Sequence, residues 1–206
     1  MSIQHGKISQ GGTITSALPG DECRNLDRAA VAACRRGDAA QFRRLFDTYR
    51  DAGYRVALGV VGRPDDALDV CQDAFIKAFQ NLDRFDEQRP FAPWFLRIVR
   101  NTALDLLRGR RRFVEQDEDD GDEAPRELAI ETRTPEEEAR NVELSQAFDR
   151  ALRALGPDHR ETLLLREREN LQYDEIAEVT GVPRGTVMSR LFYARKALRR
   201  ELEAWL

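Results

Sequence analysis

Residues 173–201 read YDEIAEVTGVPRGTVMSRLFYARKALRRE, and the way this stretch folds decides the architecture. Gly181-Val182-Pro183 divides it into a short apolar-acidic segment and a longer one with six basic residues and no acid before Glu201. With Val187 at 0° on a helical wheel of about 100° per residue, Leu191, Ala194, Leu198 and Leu202 fall within about 60° of it. That is a single buried stripe. Ser189, Tyr193, Lys196 and Arg200 fall opposite, with Thr186, Arg190 and Arg199 on the flanks. Ile176, Ala177 and Val179 of the preceding segment supply apolar surface for the stripe. Two short helices joined at Gly181 predict a helix-turn-helix. In that geometry the start of the second helix meets base edges in the major groove, and its later basic residues meet phosphates. A plain helical hairpin with a solvated basic face is the bland alternative. Glycine at the turn, the proline start and the acid-free basic run favour DNA. Gln172 is unexpected where a serine or threonine cap would be usual.

Working outward, the chain has 206 residues, 41% hydrophobic and 34% charged. This is the composition of a soluble helical protein of one medium or two small domains. No apolar run approaches the length of a bilayer crossing, so no membrane insertion is expected. The first residues, MSIQHGKISQGGTITSALPGDECRN, lack the apolar core of a secretory signal and read as a disordered tail over 1–24. Cys23, Cys34 and Cys71 are odd in number and widely spaced, which fits a reducing cytoplasm. Neither they nor His5 and His159 form a metal spacing, and no cofactor motif is present.

The charge is uneven. Glu115 to Glu138 holds twelve acids and two arginines, a net of −10 in a chain whose total is −4, so the remainder sums to +6. Residues 113–134 therefore read as an acidic flexible linker between two mildly basic lobes. Elsewhere the i, i+3, i+4 apolar spacing recurs and period-two alternation does not. The predicted fold is all-α: two small helical domains, 25–112 and 135–206, the second containing the helix-turn-helix. Asp38 is placed to cap a helix carrying Phe42, Leu45, Phe46, Tyr49, Val56 and Val60, interrupted at Gly62 and Pro64. Thr134-Pro135-Glu136-Glu137 restarts the helix after the linker.

In the first lobe, RFDEQRPFAPWFLRIVRNTALDLLRGRRR interleaves Phe85, Phe91, Trp94 and Phe95 with a run of arginines. Aromatics among arginines suit single-stranded nucleic acid, since bases stack while the backbone is neutralised. The competing reading makes the aromatics core and the arginines a solvated face. Periodicity does not choose between them.

Three segments, DDALDVCQDAFIKAFQNLDRF, FAPWFLRIVRNTALDLLR and YDEIAEVTGVPRGTVMSRLFYARKAL, resemble in order and spacing the bacterial extracytoplasmic-function (ECF) sigma factors. The resemblance covers about 39–112 and 141–202. It implies a first lobe that binds core RNA polymerase and reads the −10 promoter element, and a second that reads the −35 element. The helix with Asp69, Gln72, Asp73, Phe75 and Phe79 resembles the segment docking on the β′ clamp helices. The loop Phe85–Pro93, which includes Arg89 and Phe91, resembles the one that captures an unstacked −10 base. Trp94, Arg97, Arg100 and Asn101 resemble the adjoining −10 contacts. Arg184, Gly185, Thr186, Met188, Ser189, Arg190, Tyr193, Lys196 and Arg200 fall on the −35-reading helix. The family often has lysine or arginine where this chain has Met188 and Tyr193, which alters the expected base preference. The resemblance also implies contact with the polymerase β flap and control by an anti-sigma factor.

The alternative function is a stand-alone helix-turn-helix repressor or activator, which leaves the aromatic-arginine stretch and the acid-amide helix unused. No Ser-His-Asp set, phosphate loop or metal spacing supports an enzyme. The acidic cluster Asp117–Glu123 lacks any frame to hold carboxylates around a divalent ion.

Overall fold

Glycine and proline punctuate the helices where the sequence places them. Gly62 ends one helix in the left-handed region at φ 77°, and its N–H donates to the Leu58 carbonyl at 2.9 Å. Pro64 opens the next, with Asp65 and Asp66 in the first turn, where carboxylates oppose the positive end of the helix dipole. Gly181, at φ 72°, closes the first helix of the helix-turn-helix and donates to the Ala177 carbonyl at 2.9 Å. Asp38 makes no cap. Ala39 occupies that position in helical geometry without a side-chain bond. Gln172 is explained by Glu175, whose carboxylate accepts from the Gln172 N–H at 2.7 Å and satisfies one of the orphan donors.

The computed structural model describes residues 21–114, 147–148, 150–152 and 154–203, and every regular element among them is helical. The order is α1 (Asp21–Arg35), α2 (Ala40–Val61), α3 (Pro64–Gln80), a 3-10 turn at Leu82–Arg84, and α4 (Phe91–Val114). After helical residues within 147–154 come α5 (Pro157–Glu167), α6 (Tyr173–Thr180) and α7 (Arg184–Glu201). Helix α1 begins four residues inside the stretch read as tail, and Arg24 there pairs with Glu175 at 3.4 Å. Helix α4 continues through Val114, two residues past the expected lobe boundary. The remainder of the acidic stretch and the cap at Thr134 lie outside the described residues.

Helices α2, α3 and α4 pack on one another around an aromatic cluster. The Phe75 and Phe95 ring centroids are 4.3 Å apart, Phe91 stacks on Phe95 at 6.0 Å, and Phe85 meets Phe91 edge-on at 5.6 Å. Three aromatics expected at binding surfaces therefore belong to the core. Phe75, Phe85 and Phe91 are only 4%, 5% and 1% exposed. Withdrawing one such side chain costs about 1.5–3 kcal/mol, so they shape the surface from beneath. In the second lobe the wheel is correct: Val187, Leu191 and Ala194 of α7 are buried with Ile176 and Val179 of α6 and Leu165 of α5.

The lobes also pack against each other, α4 on α6 and α2 on α5, and one cluster of buried apolar residues includes members of both. Leu164 lies 3.4 Å from where a Cβ on Gly59 would stand. Among the described residues, four ion pairs cross this seam: Arg24–Glu175, Arg55–Glu169, Arg89–Glu178 and Arg100–Glu161. Two lobes on a flexible linker do not require such a seam, and the sequence reading did not anticipate it.

Candidate nucleic-acid and polymerase interfaces

On α3 the residues Ala67, Val70, Cys71, Ala74, Phe75 and Ala78 form the buried stripe. Asp69, Gln72 and Asp73 are exposed on the other side. With them stand Leu68, Ile76 and Phe79, which are 51%, 55% and 47% exposed. Phe79 leans on Phe42 with centroids 5.0 Å apart and so presents a supported ring edge. Leu68 and Ile76 were not singled out from sequence, although both fall off the apolar stripe of their own helix. The result is an acid-amide face with an apolar centre. It suits a basic partner helix with hydrophobic anchors.

The loop after α3 is held from α1. Arg35 donates to the carbonyls of Leu82 at 2.8 Å, Asp83 at 3.2 Å and Phe85, and to the Glu87 carboxylate at 2.5 Å. Arg28 donates to the Glu87 carbonyl at 2.8 Å. Beyond the loop, Trp94 and Asn101 line a cleft of about 320 Å³ with Lys77, Asn81, Arg84 and Ile98. Arg97 and Asn101 are exposed. Arg89 and Arg100 are not free cations: Arg89 meets Glu178 at 2.9 Å and Arg100 meets Glu161 at 2.7 Å. The cleft thus joins Trp94 and Asn101, while two of the expected −10 arginines are turned to the seam.

On α7, Gly185 and Ser189 are exposed, as are Met188, Phe192 and Tyr193 at 52%, 63% and 58%. Phe192 and Tyr193 form an edge-to-face pair at 5.4 Å. Phe192 was missed because the wheel reading followed charge, although its position opposite the stripe was a signal. Arg190 is a correction. Its side chain is 17% exposed and paired with Asp158, so it braces α7 on α5. Arg184 lies at the helix start and reaches Asp174 at 3.3 Å in open solvent, a weak contact. Tyr193, Lys196 and Arg200 line a cleft of about 560 Å³ together with His159.

Burial shifts several acids. Glu161 is pushed up by burial, only partly offset by Arg100. Asp27, which accepts the Tyr49 hydroxyl, is likewise pushed up by burial. The Cys71 thiol is raised to about 11 by burial, which keeps it protonated and inert. Among the described residues no group of histidines, cysteines and acids could hold a metal, and no helix is long and apolar enough to cross a membrane.

Residues 45–113 match the family described as Sigma-70 region 2, and residues 145–198 match Sigma-70, region 4. The chain is 30% identical over 176 residues to the ECF RNA polymerase sigma factor SigW of Bacillus subtilis, covering 84% of this chain and 94% of that protein. It is 34% identical over 184 residues to the ECF RNA polymerase sigma-E factor of Escherichia coli, covering 86% and 94%. The chain belongs to the ECF sigma factors. Among solved structures, this sigma factor resembles RpoE from Bartonella quintana in complex with the anti-sigma factor NepR. That match has TM-score 0.67 and 25% identity, covering 79% of this chain and 96% of that one. It also resembles CnrH in complex with the cytosolic domain of CnrY, with TM-score 0.62 and 28% identity over 87% and 98% of the chains. The region 2 match spans the acid-amide face, the loop and α4. The region 4 match spans the helix-turn-helix.

Proposed function

We infer that this sigma factor binds core RNA polymerase, recognises −10 and −35 promoter elements and promotes DNA-templated transcription initiation, acting in the cytoplasm without chemistry of its own. The observation carrying this reading is the pairing of two recognition regions in one chain. A helix-turn-helix with a solvent-facing helix is joined to a lobe with an acid-amide-apolar docking face. A stand-alone repressor has no use for the second.

The roles follow from surface chemistry. Leu68, Asp69, Gln72, Asp73, Ile76 and Phe79 dock on the β′ clamp helices, and the second lobe meets the β flap. The loop 85–93 with Trp94, Arg97 and Asn101 handles unstacked −10 bases, where stacking and cation contacts are sequence-tolerant. The start of α7 reads −35 base edges through Met188, Ser189 and Phe192, while Lys196 and Arg200 neutralise phosphates. The lobes correspond to the helices from α1 through α4 and to 135–206, with the acidic residues between them as the tether. An anti-sigma factor, the kind of partner bound to RpoE in its structure, is the proposed regulator.

Run-off transcription with purified core polymerase on genomic fragments tests the reading. Discrete start sites that require the protein are expected. Sequence-specific duplex binding without core, and no start sites with it, would favour the stand-alone regulator.

A further inference from the structure

Over residues 85–90 the base-capture loop is neither helix nor strand, and its turn is closed by the Arg89 N–H donating to the Asp86 carbonyl at 3.0 Å. The Leu82 carbonyl takes one bond from the Phe85 N–H at 3.1 Å and has a second lone pair to offer, and an arginine carries five donors in a fixed fork. Arg35, the last residue of α1, supplies that fork to Leu82, Asp83 and Phe85 and closes on the Glu87 carboxylate. The Phe85 ring beneath is fixed against Phe91 and Trp94, at 5.6 and 5.0 Å. We propose that Arg35 is a positioning residue for promoter opening, holding the loop in the shape that receives an unstacked base. This rests on the loop's role given above. Arg35 itself touches no DNA.

The test uses the full chain with core polymerase, comparing Arg35→Ala, Arg35→Lys and Glu87→Gln with Asn101→Ala. Core affinity should stay within about twofold for all of them, since the docking face is on α3. Permanganate reactivity of −10 thymines should fall about tenfold or more for Arg35→Ala, because a loosened loop must be ordered at the moment of capture. Arg35→Lys should restore only part of it, since one ammonium cannot reproduce the fork. Glu87→Gln, a change at the loop's outer end that leaves the core untouched, should give a smaller loss of the same kind. Normal opening in Arg35→Ala, or opening and core affinity falling together, overturns the proposal. If Asn101→Ala also opens normally, the loop's role fails with it. If only Asn101→Ala is defective, Arg35 alone is misassigned.

Discussion

Gly53 of α2 faces Cys71 of α3 so closely that a Cβ on the glycine would stand 3.1 Å from the Sγ atom. The Phe95 ring lies at the same distance. Alanine is favoured over glycine in a helix by about 1 kcal/mol. Overpacking a rigid core costs about 1–3 kcal/mol, and Phe95 is fully buried with no room to retreat. Overpacking wins. Gly53→Ala should lower stability by about 1 kcal/mol in chemical denaturation, where propensity alone would raise it.

Asp27 gives a pH test. Burial raises its pKa in the folded chain, and the Tyr49 hydroxyl and Arg44 only partly offset this. On unfolding, the carboxyl reverts to its ordinary value and loses its proton first. The stabilising contribution is therefore full below the ordinary carboxylate range and is lost as pH rises through the raised value. Asp27→Asn keeps an acceptor for Tyr49 and cannot titrate. Wild type and variant should melt together in acid, with the variant gaining on wild type as pH rises and at least as stable at neutrality. Parallel curves would mean that Asp27 is not the group at work.

Phe91 and Asn101 should separate fold from function. Phe91 is 1% exposed within the aromatic cluster, so Phe91→Ala should cost about 3–5 kcal/mol and act through loss of folded protein. Asn101 is exposed beside Trp94 in the cleft. Asn101→Ala should leave the thermal midpoint unchanged and impair strand opening.

The α3 face predicts a core-binding defect without a folding defect. Asp69→Ala/Gln72→Ala, and independently Ile76→Ser, should weaken association with core polymerase at least about tenfold, while stability changes by no more than about 0.5 kcal/mol. Unfolding by the exposed double change would show that this face is packed inward.

On α7, charge and shape should divide the work. Lys196→Ala should weaken −35 binding by holoenzyme about equally for all sequences and lower the log-log salt slope by about one. Changing Met188 or Phe192 should shift which bases a randomised −35 library retains, by about 1–3 kcal/mol per affected pair. The reverse pattern would mean that the helix lies differently in the groove.

The buried stripe of the helix-turn-helix was readable at Val187, Leu191 and Ala194 because periodicity, Gly181 and the proline start all gave the same answer, whereas the outer face was misread at Arg190 and Phe192. The first lobe was readable as helices, but not as a surface. Phe75, Phe85 and Phe91 sit in a stretch where arginine and aromatic spacing fits a stacking platform and a core equally well. Only the packing of α2, α3 and α4 decides. Leu68 and Ile76 were legible in retrospect from their place off the stripe. The seam was not legible, because a glutamate such as Glu169 looks solvated in sequence. Its partner Arg55 is 114 positions away and carries no local sign of the contact.

The sorted charge of that seam has a consequence for how copies of the molecule meet. With arginines along one border and glutamates along the other, a first lobe repels another first lobe and a second lobe repels another second. Only unlike lobes are compatible. Two parted copies could therefore meet only by exchanging unlike lobes.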